Sequence, residues 1–229
     1  SRPAQAAASR CREPYSSRTR VGQFPVEGRS ASSRSRVATP GACASTTGGW
    51  RDSDNSRLCR VTASDVRIVP YETAMREQIL DLSIRAWDSV FEAMRDDLDR
   101  GFVPRFVYDN FYPDGWDVRQ RADLSQVLDE ETGNCDVALI DDEIAGWVCT
   151  RLHPEDSMGE VYILCVDPAH QREGIGRALM EHAHERARRA GMRMVMVETG
   201  GDVGHAPARA TYEAMGYERW PVARYFKQL

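Results

Sequence analysis

The sequence predicts a three-layer α/β domain with a mixed central sheet, preceded by a disordered tail. Short apolar runs typical of strands alternate with segments of helical periodicity, and glycine and proline separate them. The first sixty or so residues show no such pattern. The chain has 229 residues, enough for one domain with a core of its own. We therefore expect a tail over residues 1–62 and one domain over residues 63–229.

The expected tail is rich in Ser, Arg, Ala, Gly and Thr and has few large apolar side chains. Such a segment buries too little surface to offset the conformational entropy that folding would cost. Its Arg-rich, acid-poor character also fits an organelle transit peptide or a nucleic-acid-binding arm. A third interpretation is that the residues before Val61 are not native, because "VTASDVRIVPYE" reads as a natural start. All three interpretations stay open.

The first half of the domain is predicted to contain three strands and two helices. "DVRIVPY", from Asp65, alternates as a strand does. Apolar residues at helical spacing predict helices over residues 72–94 and 118–130, separated by the Pro- and Gly-containing "RGFVPRFVYDNFYPDGW". Two strands follow around a turn at Asp141 and Asp142.

The second half begins with "GEVYILCV", which is predicted to be a strand. After Gly174, apolar residues recur every four positions, which predicts a helix that ends before Gly191. "MRMVMVE" is a further strand, and "APARATYEAM" is a short helix closed by Gly216. "YERW" and "VARYFK" are predicted to form a final pair of strands. The expected order is therefore β-α-α-β-β-β-α-β-α-β-β.

Charge is distributed unevenly along the chain. Residues 1–60 hold eleven Arg against four Asp or Glu, whereas the whole chain has a net charge of −5, so the domain is acidic. An acidic domain disfavours nucleic acid as the main partner and suits a cationic or amine-bearing one, although an acidic surface also serves solubility alone. The longest apolar run, residues 161–166, is too short to span a membrane.

The cysteines and histidines predict neither disulfides nor a metal site. The six cysteines form no Cys-x-x-Cys pair, and we interpret them as reduced thiols of a cytoplasmic protein. His182 and His184 are two residues apart on a predicted helix and therefore point to different faces.

Gly174 and Gly176 lie at the start of a predicted helix that follows a strand. Each glycine costs a helix roughly 0.5–1 kcal/mol relative to alanine, so a function should explain them. Helix N-termini offer unpaired N–H donors and partial positive charge, which favour a phosphate or pyrophosphate. A P-loop would need a lysine here, and a dinucleotide fingerprint would set its first glycine directly after the strand; seven residues separate Val166 from Gly174.

The pattern Gln-x-x-Gly-x-Gly at Gln171–Gly176, after "LCVDP" and before "ARATYEAMGYE", resembles the acetyl-CoA-binding motif of the GNAT superfamily of N-acetyltransferases. The resemblance covers roughly residues 65–226 and is sharpest over 159–217. It implies a GNAT-like fold whose central sheet splays, and acetyl-CoA as cosubstrate. Members of the superfamily often form homodimers, so a homodimer is an expectation here.

The resemblance also implies which residues bind the cofactor. They are Leu164, Cys165, Val166, Gln171, Arg172, Glu173, Gly174, Ile175, Gly176, Arg177 and His205. Backbone N–H groups of the loop would hold the pyrophosphate, and the splayed strand end would pair with the pantetheine arm and polarise the thioester carbonyl. His205 departs from the family pattern, in which many members have Asn.

Acetyl transfer to an amine needs proton handling, because an alkylammonium with a pKa of about 10 has no lone pair at neutral pH. Glu160 stands where many family members carry a catalytic glutamate, and it is the first candidate for general base; Glu198 is the second. Tyr212 matches the tyrosine that often protonates the departing thiolate. A covalent acyl-Cys165 is the less favoured alternative to direct transfer.

The predicted function is acetyl transfer from acetyl-CoA to a primary amine of a small molecule. A protein or peptide amine is the alternative acceptor, and a non-catalytic acyl-CoA sensor is the alternative function. Acceptor contacts are expected from residues 87–131 and from the loop "TGGDVGH". The aromatic side chains in the first of these segments fit an amine-binding pocket or a helix core.

Overall fold

The computed structural model describes residues 66–229. The predicted tail over residues 1–62 lies outside the described residues. The strands are β1 (Arg67–Pro70), β2 (Cys135–Ile140), β3 (Glu143–His153), β4 (Met158–Val166) and β5 (Met194–Val197). The helices are α1 (Arg76–Asp99), α2 (Arg105–Phe111), α3 (Trp116–Glu130), α4 (Ile175–Arg189) and α5 (Ala206–Ala214).

The five strands form one sheet in the order β1-β2-β3-β4-β5. Neighbours from β1 to β4 are antiparallel, and β5 is parallel to β4. The parallel pair requires a crossover, which α4 supplies. The predicted mixed sheet is therefore confirmed.

Helices cover both faces of the sheet. On one face, α1 and α3 pack through Leu82 and Leu124 against Trp147 of β3, and all three side chains are buried. The Trp147 indole N–H donates to Ser83 Oγ at 2.9 Å, so its polar atom is satisfied inside the core. On the other face, Leu179 and Ala183 of α4 pack against β3 and β4. This arrangement gives the predicted three layers.

Two segments differ from the sequence-based expectations. The stretch between the first two predicted helices contains a short helix of its own, α2, because Pro104 precedes a turn of apolar and aromatic residues that pack on the end of α1. The final strand pair, "YERW" and "VARYFK", was predicted wrongly, since residues 217–229 have no strand. Trp220 and Tyr225 are 86% and 90% exposed, so these segments have no buried face to hold them in a sheet.

Within residues 66–229, no helix combines the length and the apolar composition needed to cross a membrane. The longest helix, α1, has 24 residues, but it carries charged side chains throughout and buries only one stripe.

Candidate active site

The edge of β4 that faces β5 is paired over only part of its length. The last β4–β5 pair joins Val161 to Val197, and beyond it β4 continues to Val166 while pairing on its other side with β3. The β3–β4 register shifts between Cys149 and Thr150, which leaves Tyr162 as the extra residue of a β-bulge. The splay predicted at residues 164–166 is therefore present, and it leaves backbone groups there that can pair with an extended ligand.

The glycine pair begins α4 beside this open edge. Gly174 is the N-cap residue and has a φ of 89°, a conformation that favours glycine. Gly176 has no such backbone requirement, and a β-carbon there would lie 3.6 Å from Val166 Cγ2, an ordinary contact. Packing within the protein therefore does not require a glycine at 176. A ligand that approaches the backbone closely at this position would require one.

The first turn of α4 is suited to an anion. The first hydrogen bond within the helix runs from the Ala178 N–H to Gly174 O at 3.0 Å. The N–H groups of residues 175–177 therefore have no partner within the helix. The helix has no side-chain N-cap bond and no acidic residue in its first turn. These N–H groups and the helix dipole are therefore available to a phosphate.

The loop before α4 is anchored to the strands. The Asp167 N–H donates to Ala145 O at 2.9 Å, and the Asp167 carboxylate accepts from Arg85 and from the Ala169 N–H. Burial alone raises the pKa of Asp167, but these donors lower it below its ordinary value. Gln171 Nε2 lies 3.4 Å from Val166 O. The open strand edge and the helix N-terminus therefore have a fixed relative position.

Three predicted cofactor residues, Arg172 and Glu173 of this loop and Arg177 in the first turn of α4, are engaged within the protein or bend its backbone. His170 Nδ1 lies 3.1 Å from Glu173 Oε2, and the Arg177 Nε donates to Glu181 at 2.8 Å on the exposed face of α4. Arg172 has a φ of 69°, in the left-handed region. The loop therefore contributes its backbone more directly than these side chains.

A pocket of about 90 Å³ lies beyond Val161, where β4 and β5 separate. Its walls come from α1, α3, β4, the end of β5 and α5. The lining residues are Trp87, Val90, Phe91, Met94, Gln120, Val161, Tyr162, Ile163, Leu164, Val197, Glu198, Thr199, His205, Ala208 and Tyr212. Two of the three predicted catalytic residues, Glu198 and Tyr212, therefore line the same pocket.

Tyr212 and His205 reach the pocket from one face of α5, because seven residues make two helical turns. Burial, together with the nearby Cys165, raises the pKa of the Tyr212 hydroxyl to about 12. The hydroxyl is therefore protonated at neutral pH and can donate a proton or a hydrogen bond.

His205 is held by a buried carboxylate that the sequence analysis did not identify. Asp202 Oδ2 lies 2.7 Å from His205 Nδ1, and Asp202 Oδ1 accepts from the His205 N–H at 3.1 Å. Burial raises the pKa of Asp202, but the hydrogen bonds and charge of His205 outweigh that effect and lower it. The pair fixes the imidazole and leaves Nε2 as the ring nitrogen for a ligand. Its sequence signal is an Asp three residues before the N-cap residue of a helix.

The two glutamates occupy different environments. Glu198 lines the pocket, and its Oε1 lies 3.4 Å from Arg224 Nη2 of the C-terminal segment. Glu160 is 4% exposed, its Oε2 lies 2.8 Å from His153 Nε2, and it is not among the residues that line the pocket. Glu198 therefore lines the same pocket as Tyr212, whereas Glu160 is buried beside His153.

Cys165 lies on the open part of β4 and is buried. Burial is the largest effect on its thiol and raises the pKa to about 12. Because the thiolate is the nucleophilic form, this cysteine is poorly suited to carry an acyl group. Within the described residues, no group of three or more His, Cys, Asp or Glu side chains is arranged to hold a metal ion.

Two further residues, Gln120 of the pocket wall and Arg224 beside Glu198, had weak signals in the sequence. Gln120 is a polar residue in helical register with buried Leu124 and Val127, a position where an apolar side chain is expected. Arg224 is distant from Glu198 along the chain, and only the folded arrangement brings the two together.

Comparisons with known proteins identify the family of the chain. The chain is 36% identical over 85 residues to a mycothiol acetyltransferase of Kocuria rhizophila, covering 35% of this chain and 27% of that protein. It is 30% identical over 134 residues to one of Segniliparus rotundus, covering 56% and 49%. The chain thus spans half or less of the length of these relatives.

Solved structures include an Escherichia coli ribosomal-protein-S18-alanine N-acetyltransferase, with a TM-score of 0.47, 18% identity, and coverage of 68% of this chain and 79% of that one. Another is an aminoglycoside acetyltransferase from an uncultured soil metagenomic sample in complex with sisomicin, with a TM-score of 0.48, 18% identity, and coverage of 72% and 97%. A model of the acetyltransferase (GNAT) family matches residues 87–217, more than half of the chain. The chain therefore belongs to the GNAT family of acetyltransferases.

Proposed function

We propose that the protein transfers an acetyl group from acetyl-CoA to a primary amine of a small molecule, by direct attack. The observation that carries the proposal is one pocket, at the open edge of β4, lined by both a carboxylate and a protonated tyrosine hydroxyl. Family membership supports acyl transfer as the reaction class.

The coenzyme would lie along the open edge of β4 and across the N-terminus of α4. The N–H groups of residues 172–177 would bind its pyrophosphate, with Gly176 giving the steric room. The backbone of Leu164, Cys165 and Val166 would pair with the pantetheine arm, and an N–H there would polarise the thioester carbonyl. His205 would contact the coenzyme or the acceptor from the opposite wall.

Glu198 and Tyr212 would handle the protons. Glu198 accepts a proton from the acceptor ammonium, and the freed lone pair forms the C–N bond as the C–S bond breaks. Tyr212 gives a proton to the departing sulfur. Overall the nitrogen loses two protons, of which one reaches solvent through Glu198 and one replaces the proton of Tyr212.

Glu160 is the alternative base, acting through His153, with which it is hydrogen-bonded at 2.8 Å. Its position off the pocket wall favours a supporting role for this pair at the N-terminal end of β4. Glu160 is a matched control for Glu198, because both are glutamates of adjacent strands, Glu160 in β4 and Glu198 directly after β5, and only Glu198 lines the pocket.

A small-molecule acceptor is favoured over a protein amine because the pocket is partly enclosed by α1, α3 and α5. The names of the relatives, mycothiol acetyltransferases, are consistent with this class. Within residues 66–229, Cys135, Cys149 and Cys165 are buried and form no disulfide, which fits the predicted cytoplasmic location. The homodimer stays a prediction.

The test measures release of free thiol by the full chain with acetyl-CoA and a panel of primary amines. We expect turnover, a fall in kcat of about 10²–10⁴-fold in Glu198→Gln, and a much smaller fall in Glu160→Gln. Coenzyme binding without thiol release from any amine would favour the sensor alternative. The reverse ranking of the two variants would assign the base to Glu160.

A further inference from the structure

Gln120 lines the pocket and carries a buried polar atom without a hydrogen-bond partner in the described part of the chain. The residue belongs to α3, lines the pocket, and is 2% exposed. Its side-chain oxygen, Oε1, is buried and has no hydrogen-bond partner within residues 66–229. Nearby walls of the pocket are apolar and come from α1, through Trp87, Phe91 and Met94.

A buried amide oxygen without a partner is unusual, because burial removes its hydrogen bond to water without replacing it. Gln120 shares its helix face with Leu124 and Val127, both buried in the core. A leucine at 120 would have served packing alone without that penalty. The oxygen is therefore explained best by a donor that arrives with a ligand.

We propose that Gln120 Oε1 accepts a hydrogen bond from a second polar group of the acceptor, remote from the reacting amine. The acceptor class is then a small primary amine with an apolar body that carries a hydroxyl or a second N–H group. Glu198 binds the ammonium end of the acceptor, and the side chains of α1 cover its apolar body. Gln120 Oε1 accepts a hydrogen bond from the polar group at the other end. This assignment rests on the proposed function, and it specifies the substrate class for that site.

Sites that hydrogen-bond one substrate group discriminate strongly against analogues that lack it, because the protein atom is then left buried and unpaired. The probes are two pairs of amines that differ by one hydroxyl: tyramine with phenethylamine, and 5-aminopentanol with pentylamine. We expect the full chain to prefer the hydroxylated member of at least one pair by roughly tenfold or more in kcat/KM.

The variant Gln120→Leu removes the acceptor atom and keeps an apolar side chain in the same core position. We expect the preference to fall to within about twofold of unity, with no loss in the midpoint of urea unfolding, because a buried unpaired polar atom has been removed. Gln120→Met serves the same purpose if the leucine variant misfolds. Gln126→Leu, on the exposed face of α3, is the matched control and should keep the wild-type preference.

Calorimetric binding of the same four amines in the presence of coenzyme A gives a readout that does not depend on turnover. The Kd ratios should follow the same pattern, so the assignment is testable even if no thiol is released and the proposed function fails. Equal affinity within both pairs in the wild-type protein, no binding of any of the four, or an unchanged preference in Gln120→Leu would each overturn the assignment.

Discussion

Tyr212→Phe tests the protonation state of the pocket most directly. The raised pKa, about 12, lies about 3.5 pH units above that of an ordinary thiol, so full proton transfer to the thiolate is uphill by about 5 kcal/mol. The hydroxyl therefore keeps its proton until the C–S bond is breaking, donates a hydrogen bond to the developing thiolate, and gives up the proton only as it regains one from the acceptor nitrogen. We expect kcat to fall by about 10²-fold, the lower end for general acids, with a smaller change in KM for acetyl-CoA.

The same pKa predicts the form of the pH profile. Tyr212 is active when protonated, and a raised pKa extends its protonated range upward in pH. The wild-type kcat, measured by thiol release between about pH 6 and 10.5, should therefore rise as groups that must lose protons titrate, and should then stay level.

The control is Tyr217→Phe, which removes a neighbouring hydroxyl that bonds to His184 Nε2 at 2.6 Å and does not line the pocket. It should keep most of the activity. The reasoning is refuted by a descending limb with a midpoint between about pH 8.5 and 10 that disappears in Tyr212→Phe, since that limb would show an ordinary tyrosine pKa. Equal losses in the two variants would also contradict it.

Three further predictions concern the scaffold. In Gly159→Ala the new β-carbon would lie 2.7 Å from Ala187 Cβ, so urea denaturation should show a loss of about 1–3 kcal/mol from overpacking. Gly176→Val should weaken coenzyme A binding by at least about tenfold in calorimetry while the free energy of unfolding changes by less than about 1 kcal/mol; unchanged binding would contradict the role given to this glycine. Asp202→Asn should destabilise the protein by about 1–3 kcal/mol at pH 7. Because the hydrogen bonds from His205 outweigh burial and lower the pKa of Asp202 in the folded state, this difference should shrink as the pH falls below about 4, and a difference independent of pH would contradict an ionised Asp202.

Local signals in the sequence predicted most of the fold. The periodicity of α4, the turn at Asp141 and Asp142 and the Gly191 cap depend on neighbouring residues, so a single sequence contains them. The C-terminal strands were predicted wrongly because strand formation depends on residues far away along the chain. Alternation in "VARYFK" indicates strand propensity, but a strand also needs a partner and a face to bury, and neither can be read locally.

The candidate site divides in the same way. The glycine motif and Tyr212 were recognisable because each lies within a short pattern of the family. The partners Asp202, Gln120 and Arg224 were not, because their roles depend on which side chains the fold brings together. The ranking of the two glutamates likewise required the pocket, since both occupy plausible positions along the chain.

The contact between Arg224 and Glu198 has a consequence for ligand choice. Phe226 of the same segment packs edge-on against Phe111, with 6.0 Å between ring centres, which ties the segment to α2. For an acceptor that binds as an ammonium ion, entry at Glu198 is an exchange of one cation for another. The Arg224 guanidinium already replaces part of the water around the Glu198 carboxylate. Binding an ammonium ion in its place therefore removes less additional water from that carboxylate. A neutral molecule has no charge to offer in that exchange, so under the proposed function Arg224 of the C-terminal segment would compete with the acceptor for Glu198.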